Sequence, residues 1–186
     1  MEASERARVL DHLAATRDEL LGAVQDLTAE QWEFRPAEGR WSIADCLEHV
    51  IKVENRIGKL IVKTLEGDPA PEKRAAAAEK EALLKDGRAL DRTLRLNAPE
   101  QLHPKKSWPD SLSLVNEFEN TRGKTIEFVS AMDRDLRNHF FPHLAFGDLD
   151  CYQWMMLIPI HCQRHLAQIE EIKAAPEFPR TQEASA

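Results

Sequence analysis

His161 and His165 stand four residues apart in the run Pro159-Ile-His-Cys-Gln-Arg-His-Leu-Ala-Gln-Ile-Glu. Four residues is just over one helical turn, so both imidazoles leave the same face of a helix. Trp154, Ile158, Gln168 and Ile172 share that face at spacings of three or four, which turns it toward the core. Two unpartnered imidazoles are costly to bury there, and a divalent metal removes the cost. His49 lies far upstream, in a second strongly helical segment. Two histidines from one helix and one from another make a three-nitrogen site with coordination positions left open.

For any one of these histidines, the commoner role is an ordinary surface or satisfied core residue. It is the set that points to a metal. Three neutral imidazoles suit Zn, Ni, Co, Cu or Fe. Each needs an acceptor to orient it. Gln168 shares the stripe, whereas Glu48 and Glu171 read as solvated helix surface. His139 and His143 repeat the four-residue spacing, but Pro142 makes them a poor helical pair. His12 and His103 are expected at the surface. Cys46, one turn before His49, and Cys162, about 100° around the helix from His161, read as small buried residues. Trp32 and Trp41 read as core packing, and Arg164 as a surface ion pair. There is no nucleophilic serine elbow, no phosphate-cradling glycine loop and no His-Glu-x-x-His motif.

Four amphipathic segments must position this chemistry. The first spans about Glu5 to Leu27, with Val9, Leu13, Leu20, Val24 and Leu27 as its apolar stripe. The second starts at Ser42, an N-cap with Asp45 three residues on. It carries Cys46, Leu47, Val50, Val53, Ile57, Leu60, Ile61 and Leu65 and ends at Gly67 and Pro69. The third follows Pro109, with Ser111 or Ser113 as cap and Leu112, Val115, Phe118, Ile126 and Val129 as stripe. The fourth covers Asp150 to Ala174 with Pro159 inside it, where a kink is expected. Residues 68 to 107 form a long connection, with a short helix expected somewhere in Glu72 to Leu94. Residues 138 to 149 read as a loop. One all-α domain, 1–175, and a polar disordered tail, 176–186, are expected.

Composition narrows the function. The chain has 186 residues, 42% hydrophobic and 31% charged, a balance suited to one globular core. A net charge of −7 argues against a nucleic-acid backbone as partner. No apolar run has transmembrane length, and the first residues lack a signal-peptide core, so a cytoplasmic protein is expected. Cys46, Cys151 and Cys162 make no disulfide framework. In a helix, Cys151 and Cys162 stand about 16 Å apart along the axis, too far to bridge.

Two stretches carry a family resemblance: Phe34-Arg-Pro-Ala-Glu-Gly-Arg-Trp-Ser-Ile-Ala-Asp-Cys-Leu-Glu-His49, and His143-Leu-Ala-Phe-Gly-Asp-Leu-Asp-Cys-Tyr-Gln-Trp followed by His161-Cys-Gln-Arg-His165-Leu-Ala-Gln-Ile. Together they resemble the DinB-like superfamily of metal-dependent enzymes, across nearly the whole chain. In that family a Trp-Ser/Thr loop leads into a helix bearing the first metal ligand, and the last helix bears two more, four residues apart. The resemblance implies a four-helix bundle with a long crossover between its second and third helices, and commonly a homodimer. It implies Zn²⁺ or Ni²⁺ on His49, His161 and His165, and places His143 at a recurrent family position. Relatives include transferases of low-molecular-weight thiols and isomerases of thiol conjugates. A metal-dependent hydrolase or thiol S-transferase acting on a small molecule is the first expectation. A non-catalytic metal-binding or stress-response module is the second, and a helical interaction protein without metal the third.

Overall fold

Helix signals written into the sequence are met by backbone hydrogen bonds at each bundle helix. In the computed structural model, which describes residues 1–85, 90 and 98–180, the chain runs α1 (Ala3–Val24), α2 (Ala29–Glu33), α3 (Ile43–Leu65), α4 (Arg74–Ala78), α5 (Glu81–Lys85), α6 (Ser111–Ala131), β1 (Phe140–His143), β2 (Gly147–Asp150) and α7 (Cys151–Lys173). Ser42 caps α3, with Asp45 reaching back to the Ser42 amide at 2.9 Å. Asp150 caps α7 in the same reciprocal way with Gln153. The α1 helix stops where Asp26 takes a left-handed φ of 57°, a conformation asparagine and aspartate tolerate better than most residues.

The long helices form a bundle in which α7 and α6 each pack against both α1 and α3. Two apolar clusters fill it. One holds Val9, Leu13, Ile57, Ile61, Val129, Met155 and Ile158. The other holds Leu20, Val24, Leu47, Ile51, Leu114, Phe118, Ile169 and Ile172. The order in which each helix meets these clusters gives its direction: α1 and α7 run one way, α3 and α6 the other. Parallel neighbours α3 and α6 cannot be joined by a tight turn. The crossover 66–110 therefore has to return along the bundle, about 30 Å at 1.5 Å per residue. The fold is thus an all-α four-helix bundle with a long crossover between its second and third long helices.

Between the two clusters lies a buried ionic layer that the hydrophobic pattern does not announce. Arg122 of α6 is fully buried. Its guanidinium donates to both Glu54 oxygens of α3 at 2.8–3.2 Å, and to the Leu13 carbonyl and Thr16 hydroxyl of α1 at 2.8 Å. The Cys162 thiol of α7 contacts the Thr16 carbonyl at 3.7 Å. All four long helices meet at this level.

Several expectations need correction. The cap of α6 is Asp110, whose carboxylate accepts from the Ser113 amide at 2.7 Å, not Ser111 or Ser113. Its buried face is Leu114, Phe118, Thr121, Arg122 and Val129; Leu112 is 69% exposed. Phe118 and Val129 of the expected stripe are buried and Val115 and Ile126 half-buried; Leu112 is the member that faces outward, and the polar Thr121 and Arg122 join the inner face. Residues 138–149 are not a plain loop. Phe140 pairs with Asp150 and His143 with Gly147 in an antiparallel hairpin, and Gly147 closes its turn at φ 66°, a backbone that suits glycine. The helical expectation in Glu72 to Leu94 is met by α4 and α5 as far as Lys85; its remainder lies almost wholly outside the described residues. Phe178 packs edge-on against Phe34, and Gln31 donates to the Pro179 carbonyl; residues 181–186 of the expected tail lie outside the described residues.

Candidate metal centre

His49 sits in the second turn of α3, and the antiparallel neighbour α7 brings His161 and His165 to the same level. The α7 helix continues unbroken through Pro159, so the one-turn spacing of its two histidines survives. Each of the three imidazoles offers a ligand nitrogen within 4.8 Å of the others. The Nε2 atoms of His161 and His165 are 3.2 Å apart. A Zn–N distance of about 2.0–2.1 Å with tetrahedral angles puts two ligand nitrogens about 3.3–3.4 Å apart. The pair fits a transition metal of that size. Among the described residues no thiol or carboxylate joins the three imidazoles in this cluster.

Protonation also suits metal binding. His49 and His165 are buried and His161 is half-buried. Burial lowers the His49 pKa; the Leu102 carbonyl pulls the other way, and the neighbouring His103 and Lys52 lower it further. His161 falls well below the usual histidine range, first through burial and then through His165 and His49. Neutral imidazole is the form that donates a lone pair to a metal. Arg164 is half-buried and its charge also holds His161 neutral.

The surroundings orient the set. His49 Nδ1 lies 2.8 Å from the Leu102 carbonyl, which can only accept, so Nδ1 carries the proton and Nε2 the free lone pair. Trp41 stacks on His165 with ring centroids 5.9 Å apart at 20°, and lies 4.8 Å from His49. It forms one wall of the site. Trp32, by contrast, is buried in the core as expected. Glu48 is not solvated surface: it is 3% exposed, and accepts from the Lys105 amide at 2.8 Å and the Ser107 hydroxyl at 2.8 Å. Burial favours its neutral form, but Lys52 and these donors prevail and lower its pKa. Glu171 is exposed.

The other histidines stand apart from the cluster. His139 is buried between the Asp135 and Gly67 carbonyls, at 2.8 and 3.2 Å, and fastens the hairpin to the end of α3. His143 stacks on Phe146 at 4.7 Å and faces Trp154 at 5.1 Å. Burial lowers its pKa. His103 is exposed and His12 half-buried. Cys46 lies in the core beside Ile43 and Leu47. A separate cavity of about 380 Å³ opens between α3 and α6 over Met155 and Ile158. It contains none of the three histidines, and the functional centre is assigned from ligand chemistry, not from volume.

A model of the DinB superfamily matches residues 12–169. The chain belongs to the DinB superfamily. YuaE of Bacillus subtilis, an uncharacterised protein, is 25% identical over 157 residues, covering 84% of this chain and 92% of YuaE. Among solved structures, YfiT from Bacillus subtilis superposes with a TM-score of 0.57 at 13% identity, over 93% of this chain and 88% of YfiT. YfiT is described as a probable metal-dependent hydrolase with an unusual four-helix bundle topology. At that identity the likeness shows the fold. For this DinB superfamily chain, sequence reasoning missed Trp41 as a wall, and Glu48 and the Leu102 carbonyl as neighbours of the histidines. Trp41 precedes the Ser42 cap directly, a placement that hints at the helix entrance. A backbone carbonyl from a distant crossover leaves no mark in a sequence.

Proposed function

We propose that the protein is a metal-dependent enzyme in which His49, His161 and His165 hold a divalent transition metal, Zn or Ni, and that it acts on a small molecule as a hydrolase or a low-molecular-weight-thiol S-transferase. The observation that carries this reading is the convergence of three imidazoles on one point, with one ring oriented by a carbonyl. The description of YfiT as a probable metal-dependent hydrolase supports it at the level of the family. A bound metal of this class lowers the pKa of a water or thiol it holds. The chain's own residues hold His49 with Nε2 inward, keep the imidazoles neutral by burial, and shield one side with Trp41. The alternative, a non-catalytic metal-binding module, calls for a fourth protein ligand; the absence of one from the cluster among the described residues favours the enzyme.

The reading places the protein in the cytoplasm as a homodimer, with a sedimentation mass near twice 21.2 kDa. No helix among the described residues is long and apolar enough to cross a membrane. The deciding experiment is metal content by plasma mass spectrometry on tag-free protein, beside the His161→Ala/His165→Ala variant. About one transition metal per chain is expected, lost in the variant. No metal after incubation with Zn²⁺, Ni²⁺ and Mn²⁺ overturns the reading. Hydrolysis of ester and amide panels, against conjugation of small thiols to electrophiles, then separates the two reaction classes.

A further inference from the structure

His49 is oriented by a carbonyl that α3 itself does not own. Leu102 belongs to the crossover, at the end of a single 3-10 turn, Glu100–Leu102. What holds that carbonyl in place is therefore part of the metal centre's design. Three residues of α3 grip the same stretch of crossover. His49 Nδ1 donates to the Leu102 carbonyl. Lys52 Nζ donates to the His103 carbonyl at 2.9 Å. Glu48 accepts from the Lys105 amide, the Ser107 amide at 3.3 Å and the Ser107 hydroxyl.

Glu48 takes the largest share. The two amides it accepts flank Lys106, which sits at φ 55°, a left-handed conformation unusual for lysine. Successive amides around a left-handed residue form a concavity that favours an anion. The Glu48 carboxylate fills it. Glu48 also pairs with Lys52, so the carboxylate contacts the lysine that grips His103 as well as gripping Lys105 and Ser107 itself.

We infer that Glu48 is a positioning residue of the metal centre: by clamping the strap Leu102–Ser107 it fixes the Leu102 carbonyl, and through it the tautomer and direction of His49. Glu48 is not one of the three residues of the metal cluster. The inference rests on the metal-site reading for its affinity consequence, but its tautomer consequence does not need a metal. Glu48→Gln keeps the shape but turns one acceptor into a donor facing Lys105 and Ser107. Ser107→Ala removes one donor from the clamp and leaves Glu48 in place.

The test uses both variants in the full chain. Zn²⁺ affinity is measured by chelator competition, and the His49 tautomer by ¹⁵N NMR of the metal-free protein. In the parent the Nδ1–H form of His49 is expected. In Glu48→Gln a mixture of tautomers and affinity weakened about 10- to 100-fold are expected, with helical circular dichroism unchanged. Ser107→Ala should move both readouts the same way, by less. If Glu48→Gln does not fold, Ser107→Ala decides alone. Should the parent bind no Zn²⁺, the metal reading fails and the tautomer decides the clamp. An unchanged tautomer in the folded variants, or affinity within twofold of the parent in both, overturns the inference.

Discussion

Cysteine reactivity in this chain is set by burial. Cys46, Cys151 and Cys162 are all buried. Burial pushes the Cys151 thiol up to about 12, with the nearby carboxylates Asp150 and Asp135 adding to it. Burial pushes Cys162 up to about 11, although the neighbouring Arg122 pulls the other way. At pH 8 a thiol with a pKa of 11 is about 0.1% thiolate, and the thiolate is the reactive form. Iodoacetamide at pH 8 is therefore expected to leave Cys151 and Cys162 largely unmodified in native protein and to alkylate them rapidly in guanidinium, as counted by intact mass. Rapid native labelling of either would contradict the burial described. This inertness also separates Cys162 from the adjoining His161: one turns into the ionic layer, the other into the metal cluster. Sequence reasoning anticipated that divergence from the 100° step between neighbouring residues.

At the scale of elements, the candidate centre depends on where α3 begins. The Ser42–Asp45 capping box fixes that start, seven residues before His49. Asp45 also pairs with Arg35 of the preceding loop, so the Trp41 wall and the helix are set together. Ser42→Ala is expected to destabilise the protein by about 1 kcal/mol, read as a lower midpoint in urea with an unchanged slope. No shift in the midpoint would show that Asp45 and Arg35 suffice. The same logic explains the hairpin that sequence reading took for a loop. Its strands are four residues each, and Pro142 and the short alternation give no clear period. Pairing is decided by tertiary contacts, with the Trp154 indole donating to the Phe141 carbonyl at 2.9 Å and His139 tied to α3.

At the scale of the whole molecule, the buried Arg122–Glu54 pair ties α1, α3 and α6 together through polar contacts. A buried ion pair adds little net stability over well-packed apolar residues, but removing one partner strands the other. Arg122→Ala is expected to cost about 3–5 kcal/mol, measured by denaturant unfolding. The double replacement Arg122→Met/Glu54→Leu should recover much of that loss. A loss below about 1 kcal/mol for Arg122→Ala would mean the layer is hydrated and the bundle holds without it.

Sequence alone determined the four long helices, the Ser42 cap and the facing of His161 and His165, because helical periodicity and capping are local and act within a few residues. His49 entered the set as a histidine of a second helical segment, and the family resemblance strengthened that choice, since spacing cannot relate residues more than a hundred positions apart. Tertiary structure decided what is non-local. It added Thr121 and Arg122 to the inner face of α6 and took Leu112 off it, because Arg122 looks like a surface residue until Glu54, Thr16 and Leu13 are placed opposite it. It moved Glu48 from presumed solvent to a buried clamp, because its partners lie 57 and 59 residues away. A charge or a carbonyl acquires its role only from what folding sets beside it, and no periodicity in the chain records that neighbour.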